Sequence, residues 1–277
     1  MSDFVDKGPV DDFVHRRFGR EACPGDIASH VLVPASKEEA RELTASWTHV
    51  NQVADHYGFL VLTGQYRGQT LSVCSLGESS ASAAVAIEEL ADLGVHTFLG
   101  VGLADPFDHD DDGTLVIARG SVRLDGASPG YVQIGFPAAP SFDVVLAAFQ
   151  TAEDQDTCVD LRLVADLEGL GGVFARELGE APPETERARA HLTNLGIVNS
   201  CASSATLFVQ AAIFGARAGV VMANRSRSND VTAERKQAMH TLALDTILRI
   251  AEWDNTGPTD FLRPYRSPNL ATTVVDG

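Results

Sequence analysis

Short apolar runs of strand length alternate with longer segments of helical period along this chain, and that alternation confines it to layered α/β architectures. His30 to Pro34 reads as a buried strand. Ser36-Lys37-Glu38-Glu39 follows as a capping box, with Ser at N-cap and Glu at N3, so a helix is expected to about Trp47. Phe59 to Gln65 and Thr70 to Leu76 form an expected hairpin about Arg67-Gly68. Ser79 to Leu93 is an Ala-rich helix closed by Gly94. Val95 to Val101 and Thr114 to Ala118 are strands flanking an acidic loop, Asp105 to Asp112. Ser141 to Ala152 is a helix, Val159 to Val164 a strand, and Asp166 to Gly172 a Gly-containing loop. Pro182-Pro183 opens an exposed stretch, Ala181 to Arg189, that leads into a helix. Ala202 to Phe214 is a strongly apolar helix closed by Gly215, Ala218 to Ala223 a strand, and Asp230 to Trp253 a long last helix. No repeat or composition break divides the chain. The expected organisation is an N-terminal segment 1–27, one α/β domain 28–254 and a Pro-containing tail 255–277.

Charge narrows the partners. The 277 residues carry 21 Lys+Arg against 38 Asp+Glu, a formal charge of -17, which repels phosphate backbones and excludes sequence-independent nucleic-acid binding. No apolar run approaches the roughly 18 residues of a membrane span, and Met1 to Asp6 is acidic where a signal peptide is basic and then apolar, so a cytoplasmic protein is expected. Cys23, Cys74, Cys158 and Cys201 have no zinc-like spacing and read as reduced thiols. Lysine is confined to Lys7, Lys37 and Lys236 while Asp is abundant, a surface that fits a halophilic source as well as a merely acidic, Arg-preferring protein.

Three collinear blocks carry a resemblance. The first is Val73-Cys74-Ser75-Leu76-Gly77, then Ser82 to Leu93, then Gly94-Val95-His96-Thr97-Phe98-Leu99. The second is Ser121-Val122-Arg123-Leu124-Asp125-Gly126-Ala127-Ser128, with Tyr131 and Phe136-Pro137-Ala138. The third is Leu195 to Asn199, Ser204-Ala205-Thr206-Leu207, Gly215 to Gly219 and Asn224-Arg225. Together they resemble the uridine phosphorylase branch of the nucleoside phosphorylases over residues 28 to 253. The resemblance implies a single α/β domain with a mixed, barrel-like sheet surrounded by helices, and dimers building a hexamer. It also implies reversible phosphorolysis of a nucleoside, a pentosyltransferase reaction with no cofactor and with phosphate as co-substrate. Positive charge develops on the sugar as a dianion approaches, so such a site needs Arg and backbone N–H groups around phosphate and a carboxylate on the ribose hydroxyls.

Matched residue by residue, those groups are replaced. The family's Gly-Asp-Pro turn and following Arg correspond to Pro34-Ala35-Ser36-Lys37-Glu38-Glu39, with Glu39 at the Arg position. The Arg lent by a neighbouring subunit corresponds to Tyr57, and the Arg after Thr-Phe-Leu to Gly100. The phosphate loop behind it reads Gly102-Leu103-Ala104-Asp105, and the ribose-gripping Glu-Met-Glu-Ser reads Cys201-Ala202-Ser203-Ser204. An acid-lined former anion site is the expectation. The family's base-reading loop aligns only loosely with Asp166 to Arg176.

Several residues keep two readings. His15, in Phe13-Val14-His15, resembles the segment that reaches a neighbour's sugar site, or is a solvated residue beside Arg16-Arg17. Arg225 fits the family's late-strand Arg near the base, or neutralises nearby acids with Arg227. Asp230 is an N-cap, or a general acid protonating a leaving base. The acidic loop is solvated surface or a calcium site lacking the EF-hand pattern, and no metal is expected. Ser203-Ser204 is packing and capping, or a nucleophile for which no base can be named.

The function expected is a uridine phosphorylase-like protein that is non-catalytic or weakly active. It would assemble with itself or with an active paralogue. The alternatives are an active phosphorylase or nucleosidase with a rebuilt pocket, and a sensor binding a nucleoside or base without cleaving it.

Overall fold

The computed structural model describes residues 25–107, 114–167, 183–225 and 231–256. Its frame is a nine-stranded sheet in the order β2-β3-β4-β1-β5-β8-β7-β6-β9, with β5 also paired to β9. The strands are β1 His30–Pro34, β2 Thr48–His56, β3 Phe59–Tyr66, β4 Gln69–Cys74, β5 Thr97–Pro106, β6 Leu115–Leu124, β7 Val159–Leu167, β8 Asn199–Ser200 and β9 Arg217–Asn224. The β5–β9 pairing closes β5, β8, β7, β6 and β9 into a mixed barrel. β4 and β1 extend it with parallel neighbours, and β2–β3 add an antiparallel edge. This is the expected single α/β domain with a barrel-like sheet.

Seven described helices surround it: α1 Lys37–Thr44, α2 Ser80–Asp92, α3 Ser128–Tyr131, α4 Phe142–Asp154, α5 Pro183–Asn194, α6 Ser204–Ile213 and α7 Ala233–Thr256. Alternation along β1 divides the core. Val31 and Val33 join the cluster that contains Phe98, Phe208 and the apolar side chains of α2 and α6. Leu32 joins Leu43, Leu99, Val144 and Ile247 in the cluster under α1, α4 and α7. A sheet buried on both faces has no polar side to show, hence its near-continuous apolar runs.

The local punctuation behaves as the sequence dictates. Ser36 Oγ accepts the Glu39 N–H at 3.1 Å and Ser79 Oγ that of Ser82 at 3.2 Å, caps of about 1 kcal/mol each. Arg67 at φ +46° and Gly68 at φ +84° turn β3 into β4. Several boundaries differ. α1 stops at Thr44 because Trp47 folds back into the core, 7% exposed, where it could not lie on the helix's outer turn. β2 was not expected; it is held by pairing to β3 and by a second left-handed turn at Tyr57 (φ +51°) and Gly58 (φ +93°). β7 continues through Asp166 to Leu167, so Asp166 is a strand residue where a loop was expected. Asp105 likewise belongs to β5, paired opposite Ser200. The remainder of the acidic run, residues 108–112, lies outside the described residues. So do the segment 1–24 with His15, the bulk of the 166–176 loop, Asp230 and the tail from 257. Among the described residues no helix is long and apolar enough to cross a membrane.

Candidate functional site

Parallel strands β1, β5 and β9 point their carboxyl ends the same way, and the crevice outside such ends is where open α/β sheets hold ligands. A cleft of about 80 Å³ opens there between Pro34-Ala35 after β1, Leu76-Gly77 after β4, Gly100 to Leu103 of β5 and the Cys201–Ser204 approach to α6. Small-molecule sites typically take roughly 300–1,000 Å³. Its walls are mostly apolar, and among the described residues none that lines it is Lys, Arg, His, Asp or Glu.

The backbone explains the narrowness. Leu76 and Gly77 donate their N–H groups to Pro34 and Ala35 carbonyls at 2.8 and 2.9 Å, so these amides are closed to an anion. At Gly100 an added Cβ would lie 2.8 Å from Val220 Cγ2 and 3.3 Å from Leu207 Cδ2. The space beside that strand position is filled by hydrocarbon.

The α6 N-terminus is likewise taken. Asp166 is fully buried at the end of β7 and accepts the N–H groups of Ser203 and Ala205 at 3.0 Å each. An internal carboxylate therefore occupies the positive end of the helix dipole, where an external phosphate would otherwise bind. Burial, and then the charge of Asp125, push its pKa up to about 7, against the pull of the backbone N–H donors. Ser203 bends the chain at φ +66° to begin α6, and its own hydroxyl is buried without a hydrogen-bond partner among the described residues. Sequence reasoning missed Asp166. The only signal was an acid inside the apolar run Leu163-Val164-Ala165-Asp166-Leu167.

Because its folded pKa lies above the ordinary value of 3.8, Asp166 favours the fold most when protonated. That contribution is complete below about pH 4 and lost as pH rises through about 7. Between about pH 5 and pH 8 the protein should lose about 2–3 kcal/mol through this group, and Asp166→Asn should flatten that part of the profile. Urea midpoints in constant high salt measure it. Equal slopes in the two proteins would show that Asp166 is not the titrating group.

The matched positions fall as follows. Glu39 is buried but turns from the cleft toward α7, its Oε1 3.3 Å from His240 Nε2. Lys37 bonds Asp55 on β2 at 2.5 Å, and Tyr57, 81% exposed, sits at the β2–β3 tip. Arg225 donates its backbone N–H to Ala104 and brings Nε 3.1 Å from Asp105 Oδ1, outside the cleft lining. The neutralising reading of Arg225 describes this geometry. Among the described residues the lining is neutral, because Glu39 and Asp105 face His240 and Arg225, and the acids of 108–112 that the expectation included lie outside the described residues. Ser204 Oγ donates to Cys201 O at 2.8 Å and meets Ser121 Oγ at 2.8 Å, with no base in the lining to activate it. Burial pushes the Cys201 thiol up to about 12, so it is not a thiolate.

The surviving signature around Arg123 is scaffolding. Arg123 is buried and donates to Ser128 Oγ and to the carbonyls of Val132, Gln133 and Phe136. Asp125 accepts from Ala127, Ser128 and, on α6, Thr206 Oγ1 at 2.9 Å, which fixes the helix that forms one cleft wall.

Comparison with known proteins agrees with this architecture. Residues 29–252 match the family described as the phosphorylase superfamily. The uridine phosphorylase of Thermococcus kodakarensis is 33% identical over 247 residues, covering 84% of this chain and 86% of that protein. The Escherichia coli uridine phosphorylase is 26% identical over 231 residues, covering 81% and 91%. A guanosine phosphorylase of Halorubrum lacusprofundi is 30% identical over 133 residues, covering 48% of this chain and 55% of its own.

Proposed function

Since the chain is a divergent member of the phosphorylase superfamily, on its uridine phosphorylase branch, we propose that it serves nucleoside metabolism as a subunit without phosphorolytic activity. The observation that carries this reading is the cleft at the strand ends: small, apolar in its walls and, among the described residues, without a charged lining residue. A phosphate dianion taken from water into such a site meets no countercharge, and burying an unpaired ion costs several kcal/mol. What the chain retains is the core and the Arg123–Asp125 network, the parts that hold a family surface in shape. Its role on this reading is assembly in the cytoplasm with itself or with an active paralogue, as dimers building a hexamer. His15 would then be lent to the neighbour's site. No cofactor is called for, and phosphate is a co-substrate only if activity is retained.

A second reading has its own support. Near full-length identity of 33% to a uridine phosphorylase favours retained chemistry on a nucleoside, with a rebuilt pocket, Asp230 as acid and Arg225 near the base. One experiment separates the two. The pure protein is incubated with a nucleoside panel in molar salt, with and without phosphate, and free base is measured. In parallel, candidate paralogues are co-expressed and masses read by native mass spectrometry. The subunit reading expects no base and an oligomer. Base release from any nucleoside, or a lone monomer in high salt, overturns it.

A further inference from the structure

At the opposite end of the same strands, three side chains from distant parts of the chain converge. His30 opens β1, His96 precedes β5 and Asp254 lies in the last turn of α7; one ligand atom from each falls within 4.8 Å of the others. His30 Nε2 is 2.9 Å from Asp254 Oδ2, and the two imidazoles meet edge to face at 5.0 Å. We propose that His30, His96 and Asp254 form a binding site for a divalent transition metal of the zinc class, fixing the end of α7 to the amino-terminal edge of the sheet.

The donor set is the first argument. Two imidazoles and a carboxylate suit zinc, cobalt or nickel and are poor for magnesium or calcium, which take oxygen ligands. The outer contacts orient both rings. His30 Nδ1 faces Ser29 Oγ at 3.1 Å, which turns Nε2 to Asp254, and His96 Nδ1 faces Thr97 Oγ1 at 3.1 Å. Such second contacts set the tautomer and direction of metal-binding histidines. Ligands bound at ordinary zinc distances lie about 3.4 Å apart, so the cluster must contract. His96 is exposed, which leaves a coordination position open to water. The last turn of a helix also favours a cation through its unpaired carbonyls.

Arg217 is the group that opposes a second positive charge, since its guanidinium pairs with Asp254. It also reaches Asp143 Oδ2 at 3.3 Å and Thr97 Oγ1. Asp254 can therefore turn Oδ2 to the metal and keep Oδ1 on Arg217 Nη1, 3.0 Å away, without leaving the guanidinium unpaired. The cleft lies at the other end of β1, β5 and β9, so this site stands whether or not the cleft is catalytic.

The test uses full-length protein stripped with chelator and titrated with Co²⁺ and Zn²⁺ at neutral pH. The expected result is the visible d–d absorption of four- or five-coordinate Co²⁺, its loss on adding Zn²⁺, a raised Tm with either ion, and no response to Mg²⁺. His96→Asn changes an exposed side chain and should keep the fold while weakening metal binding by at least the roughly 10–100-fold that supporting contacts alone are worth. Asp254→Asn should weaken it as well. Absence of a Co²⁺ spectrum, or an affinity unchanged in His96→Asn, overturns the proposal.

Discussion

Uridine and orthophosphate given to the purified protein should yield no ribose 1-phosphate above the uncatalysed background. One preorganised donor to transition-state charge is worth about 3 kcal/mol, a factor of roughly 10²–10³ in rate. On the reading proposed above, the positions that the sequence resemblance matches to three guanidiniums and one carboxylate read Glu39, Tyr57, Gly100 and Ser203. Residues that act as a unit do not add, so the product of four such factors overstates the loss. A deficit of at least about 10⁵ against an active relative remains the expectation. Nor should one reversion recover the rate. An arginine at Gly100 must start from a Cβ 2.8 Å from Val220 Cγ2, so it displaces packed hydrocarbon before its guanidinium reaches the cleft. Gly100→Arg is therefore expected to lower stability and leave turnover at background, measured by urea midpoint and by free base released. Turnover within about a hundredfold of an active relative in the unaltered chain would mean that other groups supply the charge.

The second large effect is structural. Arg123→Ala should destabilise the protein by about 2–4 kcal/mol, because it removes a buried side chain and the hydrogen bonds it donates to four partners at once. The carbonyls of Val132, Gln133 and Phe136 lose their donor together, and Ser128 Oγ loses one of its two partners. Arg123→Lys keeps the charge but only one nitrogen, and should recover less than half the loss, since one ammonium cannot match a planar fork. Equilibrium unfolding in urea reads both. A cost under about 1 kcal/mol for the alanine variant would place Arg123 among exposed surface charges instead.

These two predictions divide the chain into what the sequence made legible and what it did not. The caps at Ser36 and Ser79 and the Arg67-Gly68 turn are local chemistry, so their residues announce them. β2 does not announce itself, since Thr-His-Val-Asn-Gln-Val-Ala-Asp-His is largely exposed and lacks the apolar alternation that marks a half-buried strand. The barrel is closed by β5–β9 and β6–β9 pairings between segments far apart in sequence, for which no local pattern exists.

At the site the same distinction holds. Sequence position alone did not show where the acids Glu39 and Asp105 would turn. In one dimension Glu39 counts as a charge beside the turn after β1, yet α1 turns it into contact with His240. Asp166 looked like the opening of a loop because an acid after an apolar run ordinarily ends a strand. Its partners, the amides of Ser203 and Ala205, are supplied by a segment 37 to 39 residues away.

The account depends on a neutral cleft having no hold on a dianion, and equilibrium dialysis of radiolabelled orthophosphate against the full-length protein in molar potassium chloride measures that hold directly. The expected result is uptake linear in phosphate concentration up to tens of millimolar, unchanged by uridine. Saturable uptake approaching one phosphate per chain and tightened by uridine would contradict the account.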